Sequence, residues 1–222
     1  MAELYAILDW PHPSGLDIVG VARGLLGAKP HGPGAKFLQL RCKADDTCTR
    51  IGLARQVAPI SRAAGVPFII NDDLTAALAL PGLVDGVHLG QDDLQSLGGA
   101  PALNDLRRRA TPGFIIGIST HDLAQVRASA SLPVDYIGFG PVLPTRSKHK
   151  PEPCVGLDGL AAACRATRHP VVAIGGLDET SAILAAERGA AMVAMIGALV
   201  APTTLEIATR VIALATALNA VR

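Results

Sequence analysis

Eight short apolar runs, spaced at fairly even distances along 222 residues, constrain the fold of this chain more than any other feature. They have the length of strands and mostly do not alternate with polar residues, as expected of parallel strands covered on both faces. The runs are LYAIL (4–8), KFLQLR (36–41), PFIIN (67–71), DGVHL (85–89), FIIGIS (114–119), DYIGFG (135–140), PVVAIGG (170–176) and AAMVAMI (190–196).

The stretches between these runs have helical spacing, as in TRIGLARQVAPISRAAG and ETSAILAAERGA. Eight strands alternating with helices over this length predict an α/β protein of the (β/α)₈ TIM-barrel class, with a doubly wound open sheet as the alternative. No composition shift or linker divides the chain, so we expect one domain over residues 1–222. The Gly- and Pro-rich stretch 25–34 is interpreted as a connector on the face opposite the strand ends.

Charge and hydropathy exclude several classes of partner. Twenty Lys and Arg against 19 Asp and Glu give a net charge of +1, which provides no long-range field for nucleic acid or an anionic membrane. The chain has no window of about 18 apolar residues and no basic leader, so we expect a cytoplasmic protein without membrane contact. Its four cysteines lack paired spacing and are interpreted as reduced thiols.

In a barrel of this class the reactive face is built from the C-terminal ends of the strands and the loops that follow them. Polar or glycine residues should therefore appear where each apolar run stops. Six successive runs meet this expectation, ending in QLRCK, IINDD, VHLGQDD, GIST, GPVLPTRSK and AIGG. We therefore expect these groups to share one rim.

The acidic residues at the rim follow two neighbouring strands. Asp72 and Asp73 come after the third run, and Asp92 and Asp93 come after the fourth. Carboxylates brought together in this way suit Mg²⁺, which binds one or two of them and completes its shell with water and phosphate oxygens. Helix capping is the alternative for each of them, because Asp is favoured at helix N-termini.

Cations and glycines at the same rim predict anion binding. Arg41 and Lys43 end the second run, while Arg146 and Lys148 follow the sixth, where a solvated turn is the alternative. Gly175–Gly176 and Gly197 follow the last two runs, which is the usual phosphate site of this fold. The pattern predicts two anion sites, and hence two phosphorylated substrates or one with phosphate at both ends.

Two histidines lie near this rim without a nucleophilic triad. His88 falls inside an apolar run and is interpreted as a hydrogen-bonded core histidine. His121 lies just beyond the fifth run and is a candidate acid or base.

Taken together, the fragments QLRCK, IINDD, DGVHLGQDDL, GISTH, YIGFGPVLPTRSK and VVAIGG resemble the thiamine phosphate synthase family, whose superfamily also contains the thiazole tautomerase. The resemblance runs from LYAILD to VAMIGAL and keeps the family's order and spacing. It implies that hydroxymethylpyrimidine diphosphate loses pyrophosphate and is captured by the ring nitrogen of hydroxyethylthiazole phosphate, giving thiamine phosphate. In the family this proceeds through a dissociated pyrimidine carbocation and requires little acid–base help.

The resemblance also implies roles for individual residues. The Mg²⁺ ligands fall on Asp72 and Asp93, which leaves Asp92 at a variable place. The contacts to the pyrimidine diphosphate fall on Gln39, Arg41, Lys43, Asn71, Ser119 and Lys148, of which Arg41, Lys43, Ser119 and Lys148 are the expected catalytic residues. The contacts to the thiazole phosphate fall on Thr145, Arg146, Ser147, Gly176, Ile196 and Gly197.

Three residues depart from the family pattern. Cys42 stands where the family usually has an acidic residue, Ser147 replaces a Thr, and Gly197 replaces a Ser and removes a hydroxyl. Two alternative functions stay open at this point: a thiazole tautomerase that uses a histidine in the place of His121, and a non-catalytic barrel that binds thiazole or thiamine phosphates. The sequence leaves a monomer and a homo-oligomer equally open.

Overall fold

A computed structural model describes residues 1–42, 46–145 and 152–221 of the chain. Within these residues, eight parallel strands close into a barrel in the order in which they occur along the chain. The strands are β1 (Glu3–Trp10), β2 (Phe37–Cys42), β3 (Phe68–Asn71), β4 (Gly86–Leu89), β5 (Ile115–Thr120), β6 (Tyr136–Phe139), β7 (Val171–Ile174) and β8 (Met192–Met195). The predicted TIM barrel is confirmed, because each of the eight apolar runs overlaps one strand and the strands close into a barrel, so the doubly wound alternative is wrong.

Helices cover the outside of the barrel between successive strands. They are α1 (Ile18–Leu26), α2 (Thr47–Ala63), α3 (Leu74–Leu78), α4 (Gln91–Ser96), α5 (Ala100–Arg109), α6 (Leu123–Ser129), α7 (Gly156–Ala166), α8 (Glu179–Glu187) and α9 (Thr204–Ala220), with a short 3-10 helix at Gly197–Leu199. Aspartates cap several of these helices, as at Asp46, Asp122 and Asp178. No helix in the described ranges is both long and apolar enough to cross a membrane.

The hydrophobic core has two parts. The larger part lies between the strands and the helices and is built mainly from Ala, Val, Ile and Leu, since aromatic residues make up only 3% of the chain. A smaller cluster fills the barrel interior around Tyr5 and Tyr136, with Ile7, Val172 and Met192 packed against them. Because side chains alternate along a strand, the residues above this cluster also point inward, and they meet at the C-terminal rim.

Candidate active site

A cavity of about 1100 Å³ opens at the C-terminal rim of the barrel. Every site residue predicted from the sequence that falls within the described ranges lines this cavity: Gln39, Arg41, Asn71, Asp72, Asp93, Ser119, Thr145, Gly176, Ile196 and Gly197. The other predicted residues, Lys43, Arg146, Ser147 and Lys148, lie outside the described residues. The rim is therefore a shared site, and it divides into two chemically different sides.

The first side carries ionisable and amide side chains from β1 to β5, and we call it the carboxylate side. Its centre is the pair Asp72 and Asp93, whose carboxyl groups lie within hydrogen-bonding reach of each other. Gly90 lies between them: a Cβ built there would be 2.8 Å from Asp93 Oδ2 and 3.5 Å from Asp72 Oδ1. Its amide donates to Asp72 Oδ1 over 3.0 Å.

The backbone at Asp72 brings its carboxylate into the cavity. Its φ of 64° makes it the one non-glycine residue with positive φ in the described part of the chain, and Asp is among the residues that tolerate this region. Its amide donates to His88 O over 2.7 Å, and the Asn71 side chain donates to its Oδ2. Asp72 therefore stands outside α3, which is capped by Asp73 and begins at Leu74.

Asp73, the next residue, is a helix cap. Its Oδ1 accepts from the Ala76 amide at the start of α3, and its Oδ2 accepts from Arg50 Nη1 over 2.9 Å. Burial alone would raise its pKa, but these hydrogen bonds outweigh burial and lower it. Of the two roles that the sequence left open for both aspartates, Asp73 therefore has the capping role, and Asp72 is left facing the cavity.

The donor set of the carboxylate side fits Mg²⁺. Burial, and next the charge of Asp93, raise the pKa of Asp72 to about 6, so the pair repels itself without a cation. No cluster of three or more His, Cys, Asp or Glu that could hold a metal ion occurs among the described residues. Two carboxylates are nevertheless the usual protein contribution to a Mg²⁺ that also binds substrate phosphate.

Arg41 reaches the carboxylate side from the end of β2. Its Nη1 donates to Asp9 Oδ1 over 2.6 Å, and Asp9 is only 7% exposed at the end of β1. The two residues are register partners on adjacent strands. Sequence reasoning missed Asp9, although it stands where the first apolar run stops and the rim rule would have indicated it.

An amide pair follows on the next two strands. Gln39 Nε2 donates to Asn71 Oδ1, which fixes the orientation of both side chains toward the cavity. Cys42, by contrast, lies opposite Trp10 at the end of β2, and strand alternation directs it away from the barrel interior. The thiol therefore does not enter the cavity beside Arg41.

Ser119 and His88 form the floor of the carboxylate side. His88 Nε2 is 3.0 Å from Ser119 Oγ, and Gln91 Nε2 donates to Ser119 O. His88 is hydrogen-bonded, as predicted, but it faces the cavity instead of the outer core. The apolar run around His88 predicted a core position. The structure instead makes His88 the register partner of Asn71 on β3, which also lines the cavity.

The other side of the cavity is formed by backbone from β6 to β8, and we call it the glycine side. Gly175 and Gly176 both have positive φ, 100° and 70°. A Cβ on Gly176 would collide with the carbonyl oxygens of Pro144 and Leu143. Glycine is therefore required where the β7 loop packs against the loop that follows β6.

The start of the β6 loop is held in place by backbone hydrogen bonds. The amides of Val142 and Leu143 donate to Ile174 O and Gly175 O over 2.9 Å each, which extends the β6–β7 pairing toward Thr145. Within the described chain, the amides of Gly176 and Gly197 donate to no other residue. They are available to an anion, and a Cβ on Gly197 would meet open space.

His121 lies between the two sides. Its Nδ1 donates to Gly140 O over 2.6 Å, and its own amide donates to Gln125 Oε1 over 2.7 Å. Because the carbonyl can only accept, the neutral ring keeps its lone pair on Nε2.

The fold and the rim together define a (β/α)₈ barrel enzyme whose cavity combines a carboxylate pair with glycine backbone amides that donate to no other described residue. The sequence profile described as thiamine monophosphate synthase matches residues 5–199, so the chain belongs to the thiamine monophosphate synthase family.

Individual relatives agree over most of the chain. A thiamine-phosphate synthase of Methanocella arvoryzae is 37% identical over 94% of this chain and 92% of its own length. One from Pelotomaculum thermopropionicum is 35% identical over 88% of this chain and 83% of its own. The solved thiamine phosphate pyrophosphorylase of Pyrococcus furiosus superposes with a TM-score of 0.76 at 25% identity, covering 97% and 96% of the two chains.

Proposed function

We propose that this protein is a transferase that joins hydroxymethylpyrimidine diphosphate to hydroxyethylthiazole phosphate, giving thiamine phosphate and pyrophosphate. The observation that carries the proposal is that the carboxylate side and the glycine side line the same cavity. Its volume of about 1100 Å³ suits two small substrates bound side by side. The two predicted anion sites thus become one site for two phosphorylated substrates.

The carboxylate side would bind the pyrimidine diphosphate. Gln39 and Asn71 orient the pyrimidine ring through their amides, and Arg41 binds a diphosphate oxygen. Lys43 and Lys148 keep their predicted roles as further diphosphate ligands. Asp72 and Asp93 would hold Mg²⁺, which when bound neutralises charge on the leaving pyrophosphate.

The glycine side would bind the thiazole phosphate through backbone N–H groups of Gly176 and of Ile196–Gly197, and through Thr145. Arg146 and Ser147 keep their predicted roles as further contacts to the thiazole phosphate. This arrangement holds the thiazole nitrogen against the face of the pyrimidine from which pyrophosphate departs. Catalysis then consists of charge stabilisation and alignment, which agrees with the lack of a nucleophilic triad among the described residues of the site.

The decisive experiment supplies the purified protein with both substrates and Mg²⁺. We expect thiamine phosphate and pyrophosphate in equal amounts, and no product once EDTA removes the metal. If the protein instead isomerises a carboxylated thiazole phosphate, His121 is its base and the tautomerase replaces the synthase. If neither reaction occurs while either substrate raises the melting temperature, the protein is a binding barrel.

Three further features stay predictions. We place the protein in the cytoplasm, with small phosphorylated molecules as its ligands and with neither nucleic acid nor membrane as partners. We treat residues 1–222 as one domain, which limited proteolysis would test. A homo-oligomer is equally compatible with the sequence, and light scattering would decide between it and a monomer.

A further inference from the structure

A column of hydrogen-bonded side chains runs from the centre of the barrel up to the cavity. Tyr5 Oη lies 2.7 Å from Tyr136 Oη, which is 3.1 Å from His88 Nδ1. His88 Nε2 in turn lies 3.0 Å from Ser119 Oγ. The column connects β1, β6, β4 and β5, and Ser119 is its only member among the predicted substrate contacts.

Aromatic rings pack around the column. The ring centroids of His88 and Tyr136 are 5.5 Å apart with an interplanar angle of 20°, and those of Phe37 and Tyr136 are 6.0 Å apart with an angle of 25°. Tyr5 and Tyr136 are 1% and 2% exposed. Both tyrosine side chains are therefore almost completely shielded from bulk water.

The direction of the hydrogen bonds follows from the buried end. In the described chain, Tyr136 is the only hydrogen-bond partner of the Tyr5 hydroxyl. If Tyr5 accepted from Tyr136, its own hydrogen would be buried without an acceptor, which is unfavourable. Burial, and next the neighbouring Tyr136, raise the pKa of Tyr5, so it carries that hydrogen at neutral pH. Tyr5 must therefore donate to Tyr136.

The rest of the column follows from this first step. Tyr136 accepts from Tyr5 and can only donate onward, so His88 Nδ1 is the acceptor. A neutral imidazole that accepts at Nδ1 carries its hydrogen on Nε2, which then donates to Ser119 Oγ. The Ser119 hydrogen is left to donate into the cavity.

We propose that Tyr5, Tyr136 and His88 are positioning residues that fix the Nε2–H tautomer of His88 and make Ser119 an obligate hydrogen-bond donor to the pyrimidine diphosphate. The role of Ser119 toward the pyrimidine diphosphate rests on the proposed function. The tautomer of His88 does not, since it depends only on the side-chain geometry of the barrel.

The direct test is NMR of the uniformly ¹⁵N-labelled protein without substrate. We expect the His88 signals to show an unprotonated Nδ1 and a protonated Nε2, assigned by their loss in His88→Gln. The opposite tautomer, or a mixture, would overturn the proposal. The only variant that this measurement requires is His88→Gln. The result does not depend on whether the protein is a synthase.

The kinetic test uses Tyr136→Phe, which removes one oxygen and keeps the ring. We expect kcat/KM for the pyrimidine diphosphate to fall roughly tenfold, the scale of one misdirected hydrogen bond to a charged group, with an unchanged KM for the thiazole phosphate. Phe37→Leu disturbs the same ring stack but removes no polar atom. It should therefore lower the melting temperature without lowering kcat/KM for the pyrimidine diphosphate. An equal loss in both variants would indicate packing alone and contradict the proposal.

A double-mutant cycle removes the remaining ambiguity. If Tyr136 acts through Ser119, then Tyr136→Phe should have no further effect on kcat/KM in a Ser119→Ala background. Additive losses would show that the column acts by another route.

Discussion

The two sides of the cavity would bind anions with different parts of the chain. The carboxylate side uses side chains: Arg41 paired with Asp9, and Asp72 facing Asp93. The glycine side uses backbone, and its key positions carry no side chain at all. The carboxylate side should therefore be sensitive to changes of charge, and the glycine side to added volume.

The largest effect should come from the carboxylate pair. Asp93→Ala removes one of two proposed Mg²⁺ ligands and should lower turnover about a hundredfold or more. The melting temperature should stay the same or rise, because burial raises the pKa of Asp72 first and the Asp93 charge second, and the variant removes that second, repulsive contribution. Steady-state rates at several Mg²⁺ concentrations and thermal unfolding would measure both changes.

The matched control is Asp92→Ala, which removes an exposed carboxylate from the same turn of α4. It should keep nearly full activity. Equal losses in the two variants would remove the metal assignment from Asp93.

The next effect tests volume on the glycine side. In Gly176→Ala the methyl group would collide with the β6 loop, at a cost of roughly 2–4 kcal/mol in unfolding free energy together with the positive φ. Displacement of the cradle should raise KM for the thiazole phosphate roughly 30-fold and leave KM for the pyrimidine diphosphate almost unchanged.

Gly82→Ala separates the backbone strain of a positive φ from the collision of an added methyl group with neighbouring atoms. Gly82 has the same φ of 70°, but a Cβ there would have no neighbour within 4 Å. This variant should lose only about 1–2 kcal/mol and bind both substrates normally. If Gly82→Ala raised KM for the thiazole phosphate as much as Gly176→Ala, collision with the β6 loop would not explain the effect at Gly176.

A smaller effect is expected from the ion pair behind Arg41. Asp9→Asn keeps the shape of the side chain but removes the charge 2.6 Å from Arg41 Nη1. The guanidinium is then less firmly oriented, and KM for the pyrimidine diphosphate should rise about tenfold. Asp105→Asn, which affects only exposed ion pairs with Arg108 and Arg109, should change neither KM nor stability measurably. An unchanged KM for the pyrimidine diphosphate in Asp9→Asn would show that contacts other than Asp9 orient Arg41.

The smallest effect is a gain. Gly197→Ser restores the hydroxyl typical of the family at a position where a Cβ meets open space. One additional hydrogen bond should lower KM for the thiazole phosphate about threefold without loss of stability. Gly197→Ala supplies the Cβ alone and should leave KM unchanged. A rise in KM for both variants would show that the glycine side excludes side chains throughout.

The sequence predicted the strands and the rim because these depend on local patterns. An unalternating apolar run of strand length identifies a buried parallel strand, and the residue after it falls at the rim whatever the rest of the chain does. Arg41, Asn71 and Ser119 were located in this way. Family resemblance then distinguished Asp72 from Asp73, which periodicity alone could not do.

What the sequence by itself determined is the barrel and the set of groups at its mouth, since both follow from the order and spacing of residues close together in the chain. Only the tertiary structure decided how those groups are paired. Tyr5 meets Tyr136 across 131 positions of sequence, and Gly176 must lack a side chain because Leu143 and Pro144 pass against it. Contacts of this kind depend on barrel closure, which brings distant strands together at distances that no local pattern records.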